Sequence, residues 1–181
     1  MAERPNETNQ DGPTYVANAG LVLLNPFLPR FFEYLGVLHT DDAGKQRISD
    51  LHSASRAVHL LQYLVNERLD TPEPELAFNK LLCGLSVTDP VMPTISPKDA
   101  ELELCGQLLK AVTANWPSLA NTSVSGLREA FLQREGRLLY IDEQWRLTVQ
   151  RKTLDVLLDQ IPWSFSVIYH PWMAQPLYVT W

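Results

Sequence analysis

The side chains of this sequence whose chemistry could be catalytic are four histidines (His39, His52, His59, His170), two cysteines (Cys83, Cys105) and one carboxylate pair (Asp155, Asp159). His52 and His59 are seven residues apart and share a helix face only if the helix carrying them begins early. They lack the i, i+4 spacing and the neighbouring carboxylate of a helical metal site, so they read as surface or boundary residues. His39 and His170 stand in turn-like segments without a partner identifiable in sequence. Cys83 and Cys105 fall on or beside apolar helix stripes, where a thiol is ordinarily a small buried hydrophobe and not a nucleophile. Asp155 and Asp159, four apart, suit a pair of carboxylates on one helical face, but a solvated outer face explains them as well. No G-x-S-x-G elbow, phosphate-cradling glycine loop or H-E-x-x-H element is present. No catalytic, metal or cofactor site is expected.

Composition sets further limits. The chain has 181 residues, of which 45% are hydrophobic, and a formal net charge of −6. That is enough apolar material for one core. The mildly basic stretch Arg128–Lys152 is interleaved with Glu129, Glu135, Asp142 and Glu143, so it offers no strong basic face and no nucleic-acid partner is expected. The first thirteen residues are polar, unlike a secretory signal. The most apolar stretch, Ala19–Phe32, is broken by Asn25, Pro26, Pro29 and Arg30 and is too short to span a bilayer. The chain reads as a soluble cytoplasmic product without a membrane partner.

The elements follow from hydrophobic periodicity. Residues 1–14 read as a disordered tail and 15–181 as a single globular domain. Asn25-Pro26 reads as a helix start, with Leu28, Phe31, Phe32 and Leu35 on one face and Gly36 as the stop. His39–Asp50 reads as a polar loop. A helix is expected over Ser53–Arg68, with Leu60, Leu61 and Leu64 inward and Arg56, Gln62 and Asn66 outward. Phe78, Leu81, Leu82 and Leu85 mark another, ended by Gly84. Ser96-Pro97-Lys98-Asp99 resembles a capping box for a helix through Leu109 and Val112, and Thr122 or Ser123 caps the next.

Beyond Gly136 the period turns to alternation. Leu139 and Ile141 are expected on one face of a strand; Trp145, Leu147 and Val149 line the next, with Asp142–Gln144 as the turn. Leu154, Leu157, Leu158 and Ile161 suggest a short helix. Trp163, Phe165, Val167 and Tyr169 suggest a half-buried strand, and Leu177–Trp181 a last one. The fold class is therefore α+β: mainly helical over the N-terminal two-thirds, with a small antiparallel sheet at the C-terminus. Six aromatic residues crowd the last nineteen positions. They read mostly as core, with Trp172 and Trp181 as candidate exposed docking rings and Arg128 and Arg134 as a polar rim.

The segments NAGLVLLNPFLPRFFEYLG (18–36), HLLQYLVNE (59–67), ELAFNKLLCGL (75–85), NWPSLANTSVSGLREAFLQREGRL (115–138), DVLLDQIPWSFSVI (155–168) and PWMAQPLYVTW (171–181) together resemble the C-terminal region of contractile injection system tape-measure proteins. These belong to phage-tail-like particles of bacteria, including the extracellular antifeeding and virulence-cassette type. The resemblance spans nearly everything from Tyr15 to Trp181 and brings no catalytic residues with it. It implies a structural component that assembles in the cytoplasm and ends within the particle. Its implied role is to anchor to baseplate hub, spike or inner-tube proteins and contribute to tube length; self-association is left open. The alternative is an adaptor or chaperone-like protein for cargo or for a separate tape measure. Family members are usually several times longer. A compact domain of this size has a radius of gyration of ~16 Å, and even one unbroken helix would reach only ~270 Å, so this chain is not expected to be an extended ruler by itself.

Overall fold

A computed structural model describes residues 12–181. Of the expected tail, residues 1–11 lie outside the described residues, while Thr14 already opens the first strand, β1 (Thr14–Val16). The chain then enters a 3-10 helix, Ala19–Phe27, in which Ala19 through Leu24 are all buried. A segment apolar on every side has to be surrounded on every side. It is enclosed by α1 (Leu28–Leu35), α4 (Asp99–Asn115), a π-type turn at Arg128–Leu132 and β5 (Gln144–Val149).

α1 continues directly from the 3-10 run, so Asn25 is not its cap. The Asn25 amide instead donates to the Ser164 carbonyl at 3.4 Å. Leu28, Phe31, Phe32 and Leu35 face the core as their spacing predicts, and Gly36, left-handed at φ 68°, closes the helix. α2 (Leu51–Asn66) starts where the Asp50 carboxylate accepts the Ser53 N–H at 2.8 Å. A 3-10 turn, Glu73–Leu76, leads into α3 (Ala77–Leu82). α4 begins where the Glu101 carboxylate accepts the Lys98 N–H at 3.0 Å, two residues beyond the serine expected to cap it. The Ser123 hydroxyl accepts the Gly126 N–H at 3.0 Å and starts α5 (Val124–Leu127). Within the loop expected at 39–50, β2 (His39–Thr40) and β3 (Gln46–Arg47) pair as a small separate ladder.

The main sheet has five strands in the order β1-β4-β5-β7-β6, with β4 at Gly136–Ile141, β6 at Val167–Ile168 and β7 at Leu177–Thr180. It corrects the expected antiparallel C-terminal sheet in two ways. β5 and β7 run parallel, because the long connection between them can cross over. One edge is the N-terminal strand β1, paired with β4 across more than a hundred residues. The β4–β5 hairpin turns through Asp142 (φ 53°) and Glu143 (φ 60°), the left-handed pair of a type I′ turn.

Three further expectations change for identifiable reasons. β4 carries apolar residues on both faces, so alternation alone cannot orient it; Leu138 points inward, and Ile141 lies outward and exposed. Only Val167–Ile168 of the segment 163–169 is strand, and Ile168 is the buried member. Residues 153–160 form a 3-10 helix, whose period of three places Asp155, Leu158 and Ile161 on one side in place of the Leu154 face. Leu154 is exposed and Asp155 is buried.

Two glycines mark close backbone approaches. A Cβ on Gly20 would stand 1.9 Å from the Phe131 carbonyl oxygen, and one on Gly84 would stand 2.0 Å from that of Trp172. Gly84 is also left-handed (φ 75°), so both space and conformation reject a side chain there. Gly84→Ala is expected to destabilise the chain by about 2–3 kcal/mol or more, read as a lowered midpoint in urea unfolding.

Candidate functional site

The residues with catalytic chemistry are dispersed: His52 on α2 and Asp159 are exposed, and the others are engaged structurally. His59 is buried on α2, with Nε2 2.6 Å from the Met92 carbonyl. His170 stacks on Trp172 with ring centroids 4.6 Å apart, and burial holds its imidazole below the ordinary value. Cys83 and Cys105 are buried free thiols. Burial pushes both upward, Cys105 to about 12 and Cys83 further, which leaves them protonated and poor nucleophiles. His39 comes nearest to a hydroxyl–imidazole pair: its Nε2 is 3.3 Å from the Ser53 hydroxyl. Asp50 approaches that same nitrogen at 3.2 Å, so the three groups form no relay through the two ring nitrogens. Among the described residues no group of three or more His, Cys, Asp or Glu could hold a metal ion, and no helix is long and apolar enough to cross a membrane.

The four residues expected to meet partners are instead tied into the molecule. Arg134 is 0% exposed and Asp155 1%. The Arg134 guanidinium donates to the Asp155 carboxylate at 2.7 Å, to the Gln150 carbonyl at 3.0 Å and to the Ala130 carbonyl at 2.7 Å. Asp155 Oδ2 also accepts the Lys152 N–H and the Trp181 indole N–H, both at 2.9 Å. Burial pushes the Asp155 carboxyl upward, but Arg134, the Lys152 amide and the Trp181 indole outweigh it and hold the group below its ordinary value. Trp181 is thus half-buried, its ring 5.1 Å from the Arg134 guanidinium carbon. Trp172 is 4% exposed, packs edge-on against Phe32 and donates its indole N–H to the Leu82 carbonyl at 2.8 Å. Arg128 donates to the Leu64 carbonyl at 3.0 Å and pairs with Glu67, fastening the end of α2. Trp172 is no exposed docking ring, and neither arginine is a free rim. Rings and cations are drawn inward where buried carbonyls and a buried carboxylate need donors.

Gln62, expected outward, is also buried. Its side-chain oxygen accepts from Asn18 at 2.9 Å and from Asn79 at 3.2 Å, and Asn18 further donates to Asn79 at 2.6 Å. This amide cluster borders an open cleft of about 770 Å³ lined by Tyr15, Asn18, Gln62, Glu75 and Gln133.

The outer face of the five-stranded sheet is exposed. Its inner face buries Val16, Leu138, Leu147, Val149 and Leu177. Outward stand Tyr15, which is 76% exposed, Ile141, Val167 and Tyr178, together with Arg137, Arg146, Thr148 and Thr180. The apolar face of β5 and a last strand at Leu177–Trp181 were visible in the sequence, but not that these strands lie side by side or that β1 joins them.

A family model described as contractile injection system tape measure protein matches residues 2–181. No curated protein and no solved structure matches the chain.

Asp155→Asn leaves the Arg134 charge buried without its counter-ion and is expected to cost about 3 kcal/mol or more at pH 7. Because the carboxyl is depressed in the folded chain, its contribution is complete above the ordinary carboxylate value of about 4 and is lost as pH falls through the folded value. Urea titrations from pH 7 to pH 3 should therefore show the gap between parent and variant closing in acid. Trp172→Ala is expected to lose about 3–5 kcal/mol in the same assay.

Proposed function

Since the chain belongs to the contractile injection system tape measure proteins, we propose that it is a non-enzymatic assembly component that anchors to the baseplate hub or inner tube and contributes to tube length control. Proteins of this family belong inside the injection particle. The carrying observation is the contrast between interior and surface. Among the described residues both cysteines, His59, His170 and the Arg134–Asp155 pair serve packing, and His39, beside Ser53 and Asp50, forms no relay, while one whole sheet face stays uncovered. Groups arranged in this way act by contact: they hold another protein in register and offer no assembled nucleophile, base or metal set. The carbonyls fastened by Arg128 and Arg134 keep the anchoring body stiff, so a pull on one side is transmitted through a packed core.

Deleting the coding sequence in a producing strain and imaging the particles by electron microscopy tests the proposal. Particles are expected to be lost or to change in length, with recovery on complementation. Particles of unchanged length and yield, with an intact hub, would overturn it. Pull-down with the chain is expected to recover hub or inner-tube subunits; recovery of cargo alone, with the chain absent from mature particles, would favour an adaptor.

A further inference from the structure

The outer face of the sheet is organised by register into two cross-strand rows. Tyr15, Arg137, Thr148 and Thr180 stand side by side in one; Leu139, Arg146, Tyr178 and Val167 form the other. The rows contain two cations and no carboxylate. The nearest carboxylates along these strands lie at the ends of the face: Glu135 precedes β4, and Asp142 and Glu143 occupy the hairpin turn.

Arg137 and Arg146 are diagonal neighbours on adjacent strands, a spacing of ~7–8 Å between such positions, where like charges repel. Among the described residues neither has an ion-pair partner; Arg146 reaches only the Gln144 amide oxygen at 3.4 Å. Of the other described arginines, Arg47, Arg56, Arg68, Arg128 and Arg134 each have a carboxylate partner, whereas Arg30 lies over the Tyr34 ring and Arg151 donates to the Trp181 carbonyl. In a chain of net charge −6, carboxylates are abundant, yet the two central rows hold none.

The geometry points to the outer sheet face as the docking surface for an acidic protein surface, whose carboxylates engage Arg137 and Arg146 while Tyr15, Tyr178 and Val167 pack around them. Arginine grips carboxylates through paired N–H donors, and arginine and tyrosine carry much of the energy at interface centres. A nucleic acid is also anionic, but it calls for a broad basic field that this chain lacks. The inference rests on the assembly reading above for where the partner is found, inside the particle.

Photo-crosslinking in producing cells tests it, with benzoylphenylalanine placed at Tyr178 and, as a control on another exposed surface, at Tyr34 of α1. The expected product joins position 178 to a particle subunit through a peptide containing Asp or Glu, with none from position 34. Arg137→Glu combined with Arg146→Glu should lower its yield about tenfold or more, with an unchanged thermal melt, and replacing the crosslinked carboxylates by lysine should restore it. No product from position 178, equal yield after charge reversal, a peptide without carboxylates, or a product with RNA or a second copy of this chain would each overturn the proposal. An acidic peptide from a protein outside the particle would keep the docking chemistry and overturn the assembly reading instead.

Discussion

The enclosed guanidinium of Arg134 sets the terms for the rest of the structure. A charge removed from water is tolerable only when a counter-ion and further acceptors surround it. Here those groups come from four parts of the chain: Ala130 in the π-type turn, Gln150 at the end of β5, Asp155 in the 3-10 helix, and Trp181, which supplies both an indole donor to Asp155 and a ring beside the cation. The Arg134 backbone carbonyl also accepts the Ala19 N–H at 2.9 Å, which binds the buried 3-10 run to the same point. Helical half and sheet half are thereby held at one junction. A small relative movement between them would strand a buried charge, so the junction acts as a stiff joint.

Local periodicity was a good guide where one strong pattern decided the outcome. The Leu28, Phe31, Phe32 and Leu35 face, a cap at Thr122 or Ser123 (it is Ser123), the inward face of β5 and the burial of both cysteines could all be read from neighbouring residues. It failed where the deciding partner lay far away. Gln62 has the polarity of an outward residue and becomes interior only because Asn18 and Asn79 meet it. Asp155 looks solvated on a 3.6-residue helix and turns inward on a 3-10 helix facing Arg134. The outer sheet face was illegible for the same reason, since it depends on β1 and β7 joining a hairpin that is local in sequence. Arg137 and Tyr178 are both unremarkable in sequence; only the register brings them onto one surface.

Interior and exterior divide the labour plainly. The buried titratable groups are spent on pairing and packing, and among the described residues no group of three or more His, Cys, Asp or Glu could hold a metal ion. On the reading proposed above, specificity resides in the relief and charge of the outer sheet face, whose cross-strand rows set the side-chain spacing.

The long-range closure of this fold also bears on when it forms during translation. β1 at the start of the described chain requires β4, the indole of Trp163 reaches back to Leu23 at 2.9 Å, and the Arg134–Asp155 pair is completed by Trp181. Such distant contacts form late and slowly compared with neighbouring ones. Until β5 and Trp163 have been made, the apolar run Ala19–Leu24 lacks part of its covering. Synthesis and folding are therefore ordered in time: the outer sheet face comes into being only after β7 has been made and has paired with β5.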